Sequence, residues 1–434
     1  MAVNRKKRKI KINNVKLNKQ EKHKIKQDEK ANSMTSSKPR ANTKAKLLSD
    51  SGSSRLEIVK GSRKRKKTAR IITYSVVAAV VLVLIIVNIL TPTGIVETLQ
   101  NSYAITGEGN FPTNIYSQNA YEVKTYKDVQ FLVNDSYFEV YNGNGVLVQA
   151  ASHGMSNPRL EVSAARALLF DRDRYTAKIY NYSSELSVLT FKENIFSAAI
   201  GRNGTYAVAT GSDSYLGTVY VYNKNDKLIY TWNSASYYIA DVAVSDNGKS
   251  IAVCLIGASG GSFVSAVYIL EFDSATPIEK YEFNSLITSL SSVGKNYLLA
   301  SGTNRAYSIP WKGGVYTDLG VTGVVRNYVT DFASKYSVIA FGRENNEGSN
   351  TVTIVSNEGK IVTSFAFSAP ITDINIGEDY VVVLSDNSIY IYDLAGALIE
   401  KVFTETKSLF VSLTTDNDII TYDNSLMRKI SLGK

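Results

Sequence analysis

Three features of the sequence predict an all-β protein, a β-propeller preceded by one transmembrane helix and a disordered basic tail. The first is a run of 20 residues without a charge, Ile71 to Leu90. The second is a change of composition behind that run, from Lys-, Asn- and Ser-rich to Tyr-, Val- and Thr-rich. The third is a strand–turn–strand unit that recurs about every 41 residues, within the range of a four-stranded propeller blade. They divide the chain into a basic tail (1–70), a membrane helix (71–91), a linker (92–109) and the propeller (110–434).

The tail comes first. Residues 1–70 carry 24 Lys and Arg against 5 Asp and Glu, a net +19, whereas residues 71–434 carry 25 against 34, a net −9. The formal +10 of the whole chain therefore describes neither part. With no aromatic residue and its basic clusters alternating with polar spacers, the tail cannot bury enough surface to offset chain entropy, which predicts disorder. Its run "RKKRKIK" (Arg5 to Lys11) suits anionic inner-leaflet lipid. Nucleic acid would attract the same charges.

The membrane helix follows. At 1.5 Å per residue, 20 apolar residues span the roughly 30 Å hydrocarbon core. The run exceeds a signal-peptide apolar region, no small-residue cleavage site follows it, and a core helix this long would carry a polar face. Pro92 and Gly94 end it. Arg63, Lys64, Arg65, Lys66, Lys67 and Arg70 flank it on one side, and the first charge on the other is Glu97. The positive-inside rule then keeps residues 1–70 in the cytoplasm and sends the propeller out. This second basic run is a topology signal, and it needs no nucleic acid to explain it. The lone Cys254, in the apolar run "SIAVCLIG", excludes a disulfide framework and reads as core.

Past residue 109 no 3.6-residue period survives, and alternating runs are separated by Gly, Asn, Asp and Ser. The unit is visible in "FEVYNGNGVLV", "AKIYNYSSELSVL", "VYVYNKNDKLIY", "VYILEFDSATPIEKY", "VTIVSNEGKIV" and "IYIYDLAGALIEKV". Equivalent strand ends fall at Tyr141, Tyr180, Tyr222, Phe272, Ile309, Val355, Tyr392 and Ile430, which makes eight blades. If the weak unit near Trp311 is not a full blade, there are seven. The last unit stops after its third strand, while "NFPTNIYS" precedes the first unit unpaired. An N-terminal strand that completes the last blade would remove an exposed edge. The 27 tyrosines beyond the membrane helix suit half-buried strands, and a sugar-binding platform is the sharper reading of them.

Catalytic chemistry finds little support. His153 is the only histidine outside the tail, so a multi-histidine metal site is excluded and a Ser-His-Asp triad would rest on that residue. Neither a P-loop nor a dinucleotide fingerprint occurs, and the acids fall mostly in turns. No catalytic residue, metal or cofactor is assigned. The polar residues cluster instead in loops that a propeller places on one face: "SHGMSNPR" (Ser152 to Arg159), "DRDRY" (Asp171 to Tyr175), "GSDSYLG" (Gly211 to Gly217) and "NSASYY" (Asn233 to Tyr238). The long loops "GASGGSF" (Gly257 to Phe263) and "GRENNEGSN" (Gly342 to Asn350) join them. The expected binding residues are His153, Asn157, Asp171, Arg172 and Arg174 at the junction of blades 1 and 2, with Tyr237 and Tyr238 beside them on that face.

"SHGMSNPRLEVS…ALLFDRDRYTAKIYNY" followed by "TWNSASYYIADVAVSDNGKSIAV" resembles a domain-of-unknown-function family of clostridial, Gram-positive bacteria. The likeness spans roughly residues 70–434, and it implies a single-pass membrane protein with a WD40-like or PQQ-like propeller exterior. "SDNGKSIAV" alone is similar to generic WD40-like and TolB-like repeats. The resemblance brings no catalytic residues. It implies a Gram-positive cell-surface setting and no established activity. With no catalytic constellation among the residues, the expected function is a binding or scaffold module at the cell envelope, with an envelope protein or cell-wall glycan as partner. The alternative is a glycan-active enzyme that uses loop carboxylates such as Asp171 and Asp173.

Overall fold

The computed structural model describes residues 54–432 apart from 164, 331–334 and 345–347. The disorder expected of the tail falls largely on residues 1–53, which lie outside the described residues. Two compact units make up the chain, residues 1–75 and 76–434. Helix α1 (Ser54–Leu90) belongs to both. It contains one segment long and apolar enough to cross a membrane, Lys67–Asn88, with a mean hydropathy of 2.7 and none of it buried. The helix starts well before the expected Ile71. Lys and Arg are good helix formers, so the basic run continues a helix that the apolar stretch makes favourable.

In the second unit 32 strands, β1 to β32 in chain order, form eight four-stranded antiparallel sheets among the described residues. Seven blades are made by consecutive strands, over residues 122–152, 158–190, 195–234, 238–283, 287–318, 324–367 and 373–403. The eighth combines β30 (Phe410–Leu413), β31 (Ile419–Tyr422) and β32 (Leu426–Ile430) with β1 (Thr113–Asn114) from the other end of the domain. The closure read from the unfinished repeat is therefore present: Thr113 pairs with Met427 and Asn114 with Leu426. The weak unit near Trp311 is a whole blade whose outer strand, β21 (Thr317–Asp318), has shrunk to two residues. Eight blades is the count.

Hydrophobic packing joins the facing sheets of neighbouring blades. The two middle strands of a blade are covered on both sides, so β3 (Val129–Val133) is buried at every residue. Phe131, Phe138 and Val140 of blade 1 pack with Leu160, Leu169 and Tyr180 of blade 2, where the Phe138 and Tyr180 rings lie 4.6 Å apart. Ile115, Leu132 and Tyr141 meet Tyr422 and Met427 in the same way at the closing seam. The recurrent Asn or Asp after the third strand closes the next turn. Asn142 Oδ1 accepts from the N–H groups of Asn144 and Val146, and Asn181, Asn223 and Asp393 repeat the pattern.

Two expected loops are regular structure instead. "GASGGSF" is the tip of a long hairpin between β15 (Ser250–Ser259) and β16 (Ser262–Glu271), with Ala258 opposite Phe263. Its two-residue turn, Gly260–Gly261, has φ of 59° and 81°, a combination that strongly favours glycine. Of the Gly342–Asn350 loop, residues 345–347 lie outside the described residues. The expected linker also contains a second helix, α2 (Ile95–Ala104).

Candidate functional site

A propeller has two turn faces. The front carries the turns from second to third strand and the connections between blades; the back carries the other turns. At the front, the junction of blades 1 and 2 brings together the residues expected there. His153 is buried. Its Nδ1 accepts the Met155 N–H at 3.0 Å, so the proton lies on Nε2, which donates to Asn134 O at 2.9 Å. Asp171 is buried as well, and its carboxylate accepts from Ser156 N–H (3.1 Å) and Asn157 N–H (2.7 Å). Asn157, half-buried, returns its carbonyl to Arg172 N–H at 2.9 Å. These three residues hold the connection in shape.

The arginines have a different role. The backbone of the 172–174 turn is tied to the next blade, with Asp173 N–H donating to Ile195 O and Ile195 N–H to Arg174 O. The side chains of Arg172, Asp173 and Arg174 stay exposed on this fixed backbone. Exposed tyrosines share the face: Tyr116 (58%), Tyr175 (45%), Tyr215 (46%) and Tyr238 (62%). Tyr238 stands two blade junctions further round the ring. Tyr237 is half-buried, edge-on to Tyr268 at 6.3 Å, and close enough to Gly257 that a Cβ there would lie 2.4 Å from its ring. Partial burial and the neighbouring Glu122 push the Tyr121 hydroxyl up to about 12.

Sequence reading missed the central channel. Each blade offers its innermost strand edge-on to the axis, with backbone N–H groups that no fifth strand pairs. Carboxylates satisfy some of them across blade boundaries. Glu122 of β2 (Glu122–Tyr126) accepts from Leu160 N–H at 3.2 Å, Asp241 of β14 (Tyr238–Val244) from Leu290 N–H at 2.7 Å, and Asp373 of β26 (Asp373–Ile376) from Val411 N–H at 2.9 Å. Lys124 sits between Glu161 (2.7 Å) and Glu122 (3.8 Å). Burial alone would lower this lysine, but the two carboxylates hold it above its usual range. Burial raises Glu122 and lifts Asp241 to about 6, although Ser197 Oγ also donates to Asp241. Tyr328, bonded to Ser289, rises to about 12 by burial and the charge of Asp241. The sequence signal was an acid inside an alternating strand, as in "IADVAV" and "ITDINI".

At the back a recess of about 430 Å³ is lined by Thr91, Pro92, Arg202, Lys224 and Asp246 among others. Burial and the nearby Arg166 lower Lys224, whose Nζ donates to the carbonyls of Asn88 (2.8 Å) and Thr91 (2.6 Å). Among the described residues no group of three or more His, Cys, Asp or Glu converges as a metal site.

Residues 108–432 match the Family of unknown function (DUF5711). The chain belongs to this family. The match covers the whole propeller and bears out the family resemblance read from the sequence. No curated protein matches the chain significantly in sequence. Among solved structures, the C-terminal WD40 domain of Sif2 is similar at 11% identity, covering 75% of this chain and 100% of that one with a TM-score of 0.52. A eukaryotic initiation factor (14%, 73% and 84%, TM-score 0.49) and Kuenenia stuttgartiensis hydrazine synthase (12%, 74% and 97%, TM-score 0.44) also align. At such identity the likeness to the WD40 domain shows the fold alone.

Proposed function

We propose that this family member is a binding or scaffold module held in the cell membrane by α1, with residues 1–70 in the cytoplasm, where the basic tail lies against anionic inner-leaflet lipid. The propeller then works outside, at a Gram-positive envelope, and its front face takes an envelope protein or a cell-wall glycan. One observation carries this reading: exposed tyrosines and paired arginines gather on the front face, on backbone fixed by buried bonds. Tyrosine gives large contact area at low entropic cost, and arginine offers a planar two-pronged donor to carboxylates. Such residues dominate the energetics of recognition surfaces. The reading as a glycan-active enzyme has less behind it. Asp171 would have to give up two backbone bonds, and His153 has both ring nitrogens engaged, before either could reach a substrate proton.

The test is photo-crosslinking in living cells, with a photoreactive amino acid in place of Tyr175 or Tyr238. Adducts are expected from both positions, and Arg172→Ala with Arg174→Ala should abolish them while leaving the melting temperature nearly unchanged. Exposed loop charges contribute only about 0–1 kcal/mol. A front face that yields no adduct, beside an outer-strand position such as Glu400 that does, would overturn the assignment.

A further inference from the structure

The polarity of α2 is inverted. Its protein-facing side is polar: Glu97 and Asn101, one turn apart, are 8% and 4% exposed. Arg166 donates to Glu97 through Nε at 2.8 Å and through Nη2. Asn101 accepts from Tyr182 N–H and donates to Ala165 O. Its outward side carries an apolar stripe, with Val96 71%, Leu99 65% and Tyr103 83% exposed, flanked by the exposed Thr98, Gln100 and Ser102. Their spacing lays them along one stripe. A surface helix of a water-soluble domain has the opposite arrangement, with its apolar stripe on the core. Here a charged pair is desolvated while three large apolar side chains are left outside. Both choices are unfavourable in water, and both are resolved if the outer side of α2 is not water.

Connectivity identifies the medium. Four residues separate Leu90, the end of α1, from Ile95, the start of α2. The link is shorter still in bonding terms, because Asn88, the last residue of the apolar segment, accepts Ile95 N–H on its side-chain oxygen at 3.2 Å. α2 therefore begins at the depth where the membrane-crossing segment ends. Tyr103, with an apolar ring and a polar tip, is a residue type enriched at that depth. The back face that α2 docks on is also the more aliphatic one: Val315 is 86% exposed, and the outer strand of blade 7 begins there with Leu398 and Ile399, 52% and 53% exposed.

We propose that α2 is an interfacial helix, lying along the outer leaflet with Val96, Leu99 and Tyr103 at the boundary of headgroups and acyl chains. The propeller rests back face down on that leaflet, and the front face is turned away from it. This rests on α1 crossing the membrane, so the test reads the two separately. The full chain is placed in phosphatidylcholine vesicles with a single environment-sensitive fluorophore on Val80→Cys, Leu99→Cys or Tyr238→Cys. Native Cys254 is buried with its thiol pushed up, so it stays unlabelled. Lipids brominated near the headgroup end of their chains supply the quencher.

The probe at position 99 should lose most of its emission and the probe at 238 none. With deep-brominated lipid, position 80 should be quenched. Quenching at 80 without quenching at 99 overturns the interfacial helix and leaves the span standing. No quenching at 80 removes the span, and the proposal with it. A blue-shifted but unquenched probe at 99 means that protein covers the stripe, whether a partner or a second copy, and this too overturns the proposal.

Discussion

Asp241 shows how much a single residue can hide. It lies at an inner-strand position, receives Ser197 Oγ and Leu290 N–H, and so links the inner edges of blades 3, 4 and 5. Burial raises it to about 6 in the folded protein, against about 4 for an ordinary carboxyl. The folded state thus binds this proton more tightly than the unfolded state. Stability from this group rises as pH falls from about 6 towards about 4, and above that window the ionised form is a constant penalty. Asp241→Asn removes the titration. Melting temperatures of wild type and variant between pH 4 and 8 should therefore diverge in slope, with the wild type losing ground to the variant as pH rises from about 4 to about 6. Glu122 is shifted in the same sense but is present in both proteins and cancels in the comparison. Parallel curves would show that Asp241 is effectively solvated. The acid inside the alternating strand "IADVAV" was the signal, but a strand pattern shows which residues alternate and not which edge faces a channel, so it went unread. His153 is a parallel case. Its loop was legible as a front-face connection, but whether its ring points out or in depended on Asn134 and Met155, neighbours fixed only by the fold.

Among the elements, blades were legible because a strand–turn–strand unit recurs at an average of about 41 residues, with a turn-closing Asn or Asp after the third strand in blades 1, 2, 3 and 7. α2 was not, because its stripe of Val96, Leu99 and Tyr103 points away from the protein and its ten residues are too few for a periodic signal. The closing strand was legible by subtraction, since the last unit lacked a strand and one strand was spare. Only two residue pairs make β1, but the segment around it adds more. Ile115 N–H donates to Ser425 O at 2.8 Å, Tyr116 N–H to Tyr141 Oη at 2.6 Å, and Ile115 is 3% exposed. Deleting residues 110–118 should expose the edge of β32 and cause aggregation. Ile115→Ala, which keeps the backbone pairing, should cost about 2–5 kcal/mol in denaturant unfolding. A deletion variant that melts like the parent would mean that the ring does not depend on its N-terminal strand.

At the scale of the whole molecule, charge and fold divide at the same place. The net +19 of residues 1–70 and the net −9 of the remainder lie on either side of a segment without charge. An acidic propeller needs no cytoplasmic basic partner, and a basic tail beside a span is retained on the side where it is made. The orientation we propose rests on this asymmetry and is testable by reversing it. Protease added to intact, wall-stripped cells should digest the propeller and leave a fragment containing the first seventy residues. Neutralising Arg63, Lys64, Arg65, Lys66 and Lys67 while introducing lysines at Thr91 and Thr93 should shift a fraction of the molecules to the opposite orientation, seen as propeller that survives the same treatment. The tail retains many other lysines and arginines, so the reversal should be partial, and charges nearest the span should count most. If the propeller of the unaltered chain is protected from the start, the tail lies outside and the basic run beside α1 has another purpose. If the altered chain is digested as completely as the parent, orientation is set by the folding of the propeller after export and not by the flanking charge.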